Sequence, residues 1–181
     1  DKHILFTDFR YVEQAQKQCK GFQVIDTGND ALDTIYNELK SLDVKTIWFE
    51  ENYVTYDLYQ RMDEKFKCMD LFPMARAVER IRIKKDQKEI RAIKKAAEIA
   101  DKTFLYILDF IKPGVREKDL ADEIDYYIKK LGAQSPSFTT IVASGCNSSL
   151  PHAEPSEKRL NTGEFITMDF GAKVCGYCSD M

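Results

Sequence analysis

Residues 163–181 read GEFITMDFGAKVCGYCSDM, and two apolar runs in this stretch each carry one aspartate. The alternation over Glu164–Phe170 and over about Lys173–Asp180 predicts two β-strands that form a hairpin. Asp169 lies inside the first predicted strand, where aspartate is disfavoured, and Asp180 closes the second. The two aspartates are therefore the first candidates for chemistry.

The spacing of these aspartates, eleven residues, sets their geometry in a hairpin. If the turn centres between Val174 and Cys175, Asp169 and Asp180 lie directly opposite each other, with Cβ atoms about 4.5–5.5 Å apart. Carboxylates that close repel, so one of them takes up a proton or a cation lies between them. A pair of divalent metal ions uses this arrangement. The alternative is two ordinary polar residues, one at a strand end, and the spacing by itself leaves both open.

Upstream, residues 1–75 alternate short apolar runs with amphipathic segments, which predicts a βαβα order and a mostly parallel sheet covered by helices. The expected strands are Ile4–Phe6, Phe22–Ile25 and Ile47–Phe49, and the expected helices are about Arg10–Cys19, Asp30–Leu42 and Thr55–Phe66. The run from Phe72 to Met74 contains a proline and breaks the pattern, and basic residues follow it. We therefore assign 1–75 to an α/β domain and 76–85 to a linker.

Residues 86–181 form the second predicted domain, of α+β type. Asp86 and Glu89 are spaced as in a capping box, and apolar residues then keep helical spacing to Ile111. A second helix is expected over about Glu117–Leu131. Beyond it the apolar period changes from 3.6 to 2, which predicts strands, the first over Phe138–Ala143.

Composition excludes several classes of function. Net charge is −3 without any basic block, so nucleic acid is not an expected partner. Neither a signal peptide nor an apolar run of membrane-spanning length is visible, so no membrane is expected. Five cysteines, an odd count, suggest free thiols and a cytoplasmic protein. Because both ends look cut, we expect a segment of a longer protein, truncated at both ends.

Three motifs that follow one another resemble the Xaa-Pro aminopeptidase and prolidase family of "pita-bread" metallopeptidases; they are Leu150–Lys158, Gly163–Ala172 and Gly176–Met181. Arg82–Ile90 resembles the start of that family's catalytic domain, and Thr7–Tyr11 resembles part of its creatinase-like N-terminal domain. The resemblance implies an α/β creatinase-like N-terminal domain followed by the first part of an α+β pita-bread catalytic domain.

The resemblance also implies an activity, namely hydrolysis of the Xaa-Pro peptide bond by a metal-dependent exopeptidase that uses a hydroxide bridging two metal ions. It implies that Asp169 binds one metal, that Asp180 bridges both, and that His152 is catalytic, facing the substrate near the scissile bond. The family's remaining histidine and two glutamate ligands cannot be assigned before Met181, so we expect the segment itself to be inactive.

Cofactors and partners follow from the same resemblance. Hard oxygen ligands favour two manganese ions, with cobalt or zinc as alternatives. The implied substrate is a peptide with proline in second position, and the implied assembly is a homodimer. Alternative functions are a prolidase restricted to Xaa-Pro dipeptides, a non-enzymatic binding module of the same fold, and creatinase or methionine aminopeptidase chemistry. The α/β first domain argues against a plain methionine aminopeptidase.

Two cysteine patterns suggest other chemistry. Cys175 and Cys178 have the C-x-x-C spacing of redox proteins, but that motif normally opens a helix and here falls in a predicted hairpin. Cys146 could act as a nucleophile only with His152 as its base. For His152 itself, the alternative to a catalytic role is a turn histidine packed beside Pro151.

Overall fold

The computed structural model describes residues 2–181, and the chain divides into two compact units, Asp1–Lys84 and Lys85–Met181. Within the described residues, no helix combines the length and the apolar character that crossing a membrane requires.

The first unit repeats a strand-helix pattern four times. Its elements are β1 (Ile4–Thr7), α1 (Val12–Gln18), β2 (Gln23–Asp26), α2 (Ala31–Ser41), β3 (Thr46–Phe49), α3 (Tyr56–Lys65), β4 (Asp70–Pro73) and α4 (Ala77–Ile83). β1 pairs with β2 and β3 pairs with β4, both in parallel. A parallel pair needs a crossover connection, which α1 and α3 provide. The predicted βαβα order is therefore confirmed.

The junction between the units differs from the sequence-based assignment. The segment around Phe72, which seemed only to break the pattern, is strand β4, and Pro73 is tolerated because it ends a strand that pairs on one side only. The segment 76–85 contains α4, which follows two residues with positive φ, Ala75 and Arg76. The first compact unit thus runs through α4 rather than ending at residue 75.

The second unit begins with two long helices and continues as short strands. Its elements are α5 (Gln87–Ile107), a 3₁₀ turn (Leu108–Phe110), α6 (Glu117–Lys130), β5 (Ser135–Pro136), β6 (Ile141–Ser144), a 3₁₀ turn (Gly145–Ser149), β7 (Ile166–Asp169), β8 (Ala172–Val174) and β9 (Tyr177–Cys178). The capping box predicted at the start of α5 is present: Asp86 accepts from the backbone of Glu89, whose side chain accepts from the backbone of Asp86. Both helices are confirmed.

Strand pairing in the second unit corrects the hairpin predicted for Glu164–Phe170 and Lys173–Asp180. β7 pairs antiparallel with β6, whereas the hairpin is formed by β8 and β9. Its two-residue turn is Cys175-Gly176, with φ of 50° and 82°. Positive φ at both central residues is typical of the type I′ turn, whose twist suits a tight hairpin.

The core of the second unit lies between the two helices and one face of the strands. α5 packs on α6, β8 and β9, and α6 packs on β5 and β6. Ile107, Ile124, Ile128 and Val142 are fully buried there, and Phe170 is 1% exposed. Each such side chain stabilises the fold by about 1.5–3 kcal/mol. This core supports the strands that carry the candidate site.

Candidate metal and substrate site

Asp169 lies at the end of β7 on the sheet face that points away from the helices. Side chains alternate between the two faces of a strand. Ile166 and Met168 pack against the core formed with α5 and α6, so Thr167 and Asp169 lie on the opposite face. Asp169 is partly exposed, which leaves its carboxylate accessible.

Asp180 lies on the same face, but its register differs from the expected one. Phe170 and Met181 exchange two backbone hydrogen bonds of 3.1 and 3.0 Å, which continues the β8–β9 ladder and places Asp180 opposite Gly171. Asp169 and Asp180 are therefore diagonal neighbours rather than directly opposed. The turn centres one residue later than assumed, between Cys175 and Gly176, and this moves every cross-strand partner by two positions.

A close backbone contact holds the strand of Asp180 in place. The Ser179 hydroxyl donates to the Ala96 carbonyl oxygen at 3.1 Å and accepts from the Ala172 N–H at 3.0 Å. The Ser179 carbonyl oxygen accepts from the Ser137 hydroxyl at 2.8 Å. A Cβ on Gly171 would collide with that same carbonyl oxygen. Only glycine fits here, so the close packing that positions Asp180 depends on Gly171.

His152 lies in a turn between the second 3₁₀ segment and β7. The turn is closed by the Ala153 N–H, which donates to the Leu150 carbonyl oxygen at 3.2 Å, and Ala153 is buried while His152 is exposed. The segment is thus a turn here rather than extended, and His152 is exposed. His152 does not join the aspartates in a cation-binding group, since residues 2–181 contain no cluster of three or more His, Cys, Asp or Glu that could hold a metal.

The donor set fits the implied metal only in part. Asp169 and Asp180 offer hard carboxylate oxygens on one face, which suit divalent cations such as Mn²⁺. Two carboxylates supply fewer donors than the roughly six that an octahedral ion takes. Asp169 and Asp180 can therefore contribute to such a site, but the residues described here do not complete it.

Glu117, which the sequence indicated only as the first residue of a helix, is a buried carboxylate with zero exposure. It accepts from the N–H and hydroxyl of Ser144 at 2.7 and 2.8 Å, from the N–H and hydroxyl of Ser156 at 3.2 and 2.6 Å, and from the Asn147 amide at 3.2 Å. Burial raises the pKa of Glu117, but the hydrogen bonds from Ser156 and Ser144 outweigh burial and hold the pKa below its ordinary value.

Backbone bonds join the same segment to the start of α6. The Glu117 N–H donates to the Lys158 carbonyl oxygen at 3.0 Å and the Lys118 N–H donates to the Ser156 carbonyl oxygen at 3.2 Å. The first N–H groups of a helix have no partner within it, and these carbonyls supply one. No local sequence signal marks the arrangement, since an acidic residue in a first helical turn is common.

Lys158 extends the network toward β7. Its ammonium group donates to the Ser144 hydroxyl at 2.9 Å and to Glu164 at 2.7 Å. The bond from Lys158, with a second from Asn161, holds the pKa of Glu164 below its ordinary value. The strand that carries Asp169 and the loop that carries His152 are thus joined to one polar cluster.

The cysteine patterns gain no support from their setting. All five cysteines are free thiols. Cys175 and Cys178 are exposed around the β8–β9 turn rather than at a helix N-terminus, where a thiol pKa would be lowered. Cys146 is exposed and its thiol contacts the Asn147 side chain at 3.8 Å.

The fold and the site together define a two-domain protein whose second domain carries two aspartates on one sheet face and an exposed histidine in a loop. The model of "Metallopeptidase family M24" matches residues 91–181, and that of the "Creatinase/Prolidase N-terminal domain" matches residues 1–84. The first match covers just over half of the chain, and the chain belongs to metallopeptidase family M24. Its fold is a creatinase-like N-terminal domain followed by the start of the pita-bread catalytic domain.

Individual relatives agree with this assignment. The chain is 43% identical over 181 residues to the "Uncharacterized peptidase YqhT" of Bacillus subtilis, covering all of this chain and 51% of that protein. The structure of the Xaa-Pro dipeptidase from Bacillus anthracis matches with a TM-score of 0.87 at 43% identity, over 97% of this chain and 49% of that one. The X-Pro aminopeptidase from Thermotoga maritima matches with a TM-score of 0.88 at 37% identity, over 99% and 51%. The chain therefore spans about half the length of these relatives.

Proposed function

We propose that this chain is part of a metal-dependent exopeptidase that hydrolyses the peptide bond between a residue and a following proline. Membership of family M24 supports a peptidase, and the relatives named as Xaa-Pro dipeptidase and X-Pro aminopeptidase support the proline specificity. The single observation that carries the proposal is the placement of Asp169 and Asp180 on one accessible sheet face.

In this proposal Asp169 and Asp180 would both serve as ligands of the divalent ions, with manganese favoured by the oxygen donors and cobalt or zinc as alternatives. When bound, the ions supply Lewis acidity toward the amide carbonyl and activate the attacking water. The chain's own part is to hold both carboxylates at fixed positions, which the close packing of Ser179 against Gly171 accomplishes.

His152 is the proposed contact to the substrate. An exposed imidazole can donate or accept a hydrogen bond, so it can orient the peptide or stabilise the oxygen that gains charge during hydrolysis. The turn of Leu150–Ala153 presents it to solvent rather than to the core.

The 181-residue chain alone is expected to bind Mn²⁺ weakly and to hydrolyse no Xaa-Pro peptide, because two carboxylates leave most coordination positions of an octahedral ion to other ligands. A homodimer and a cytoplasmic location also belong to the proposal.

Replacing Asp180 with asparagine in the full-length protein tests the metal role. We expect Xaa-Pro hydrolysis to fall roughly a thousandfold or more, since several kcal/mol of charge stabilisation depend on the metal. Mn²⁺ content should fall as well, while the thermal melting temperature stays near the wild-type value. Asp122→Asn, an exposed aspartate on α6, is the matched control and should keep full activity. Full activity of Asp180→Asn would show that Asp180 is not a ligand.

Substrate length separates the two forms of the activity. A prolidase cleaves Xaa-Pro dipeptides only, whereas an aminopeptidase also cleaves longer peptides with proline in second position. Assaying Ala-Pro beside a longer peptide of the same N-terminal sequence distinguishes them. Binding of such peptides with no turnover of either would support the non-enzymatic alternative.

A further inference from the structure

The loop that carries His152 is anchored at both of its ends on one side chain. Ser144 and Asn147 precede the loop turn and Ser156 follows it, and all three donate hydrogen bonds to Glu117. Between them His152 is exposed, whereas the neighbouring Ala153 is buried. The contacts of Glu117 therefore restrain the two stems of a loop that presents His152 to solvent.

The network is built around a charge. Glu117 has zero exposure, and its two oxygens together accept from three residues. Hydrogen bonds to an ionised carboxylate are roughly twice as strong as neutral ones, whereas a buried acceptor without donors is costly. The ionised carboxylate thus favours one arrangement of both stems over others.

We infer that Glu117 is a positioning residue that holds His152 at the place where it meets the substrate, by fixing both stems of the loop 145–155. The inference rests on the proposed function for the part that concerns substrate. The anchoring of the loop is independent of it.

Hydrogen exchange of the full-length protein tests the anchoring. In Glu117→Gln one acceptor oxygen becomes an amide donor that faces other donors, so peptides covering 145–155 should exchange several-fold faster. Peptides from the middle of α6, around Ile124 and Ile128, should be unchanged. The milder Ser156→Ala removes one donor and should show a smaller change of the same direction if Glu117→Gln folds poorly. The exposed Glu98→Gln on α5 is the matched control. Unchanged loop exchange in both network variants would overturn the inference.

A double-mutant cycle with His152→Ala tests positioning. Glu117→Gln should lower kcat/KM for an Xaa-Pro peptide roughly ten- to hundredfold, the effect of a lost charge-assisted bond at about 1.4 kcal/mol per tenfold. If Glu117 acts through His152, the same change should have little further effect in the His152→Ala background. If the double variant instead loses kcat/KM by the product of the two single losses, Glu117 has only a general structural role and the positioning inference is refuted. If the wild-type protein cleaves no Xaa-Pro peptide, the proposed function is wrong, and so is the inference that Glu117 positions His152 toward the substrate. The hydrogen-exchange data then still test whether Glu117 anchors the loop.

Discussion

At the scale of single residues, Glu117 and Gly171 each occupy a position that the surrounding structure restricts closely. Glu117 is a charged group that is fully buried, and Gly171 is a position where a methyl group has no room. In both cases a distant partner explains the residue: the Ser156 segment for Glu117 and the Ser179 carbonyl oxygen for Gly171.

The pH dependence of stability should report the ionisation of Glu117. The pKa of Glu117 in the folded protein lies below its ordinary value of 4.5, so its contribution to stability is present above the unfolded pKa and is lost as pH falls through the folded pKa. We expect the difference in unfolding free energy between wild type and Glu117→Gln to shrink as pH is lowered below about 4.5. Urea unfolding of both proteins at a series of pH values measures this difference. Because both proteins contain the other carboxylates, most of the effect of those groups cancels in the difference. A difference that grows toward low pH would contradict the assignment of an ionised Glu117.

Gly171→Ala should destabilise the second domain by about 1–3 kcal/mol, since the new methyl group meets a backbone oxygen that cannot rotate away. Shifting this strand also moves Asp180, so Mn²⁺ affinity should fall with stability. Urea denaturation and metal titration measure the two effects. Lys173→Ala, two residues along the same strand, is the control and should change stability by at most about 0.5 kcal/mol. Wild-type stability of Gly171→Ala would mean that the strand adjusts freely.

At the scale of elements, the start of α5 is tied to the strand pair that ends in Asp180. Asp86 caps the helix by accepting from the N–H groups of Lys88 and Glu89 at 2.6 and 2.9 Å. Glu89 accepts in turn from the Tyr177 hydroxyl on β9 at 2.6 Å. The bond from Tyr177 holds the pKa of Glu89 below its ordinary value. The helix cap and the β8–β9 hairpin therefore support each other.

Asp86→Ala should lower the stability of the second domain by about 1 kcal/mol, because it removes the acceptor for the orphan N–H groups of the first turn. Asp86→Asn keeps a side-chain oxygen and should recover most of the loss. Thermal unfolding of both variants provides the comparison. Equal loss in the two would indicate that charge, rather than the cap oxygen, is what matters at this position.

At the scale of the whole molecule, the chain consists of a parallel α/β unit and an α+β unit, and only the second carries the candidate site. The division follows the change in pattern near Asp86, from strand-helix repeats to two long helices followed by strands. The two aspartates, His152 and Glu117 all lie in the second unit, so the packing of that unit sets their local positions.

Local signals in the sequence were enough to predict the long helices, the cap of α5 and Asp169 as a candidate, whereas the segment of α4 was assigned to a linker. Apolar period and capping residues predicted α5 and α6, and the unfavourable strand position singled out Asp169. These signals act within a few residues, so they can be read before the chain folds. Strand β4 was not predicted, because the proline at its end resembles a break in the strand-helix pattern.

Tertiary structure alone decided which strands pair and in what register. β7 pairs with β6 across the His152 loop rather than with its neighbour in sequence, and the turn lies at Cys175-Gly176. A one-residue change in the turn makes Asp169 and Asp180 diagonal neighbours instead of opposed ones. The role of Glu117 was also invisible, since its partners lie 27 to 39 residues away. Pairing and burial depend on contacts between segments far apart in the chain, which no local pattern specifies.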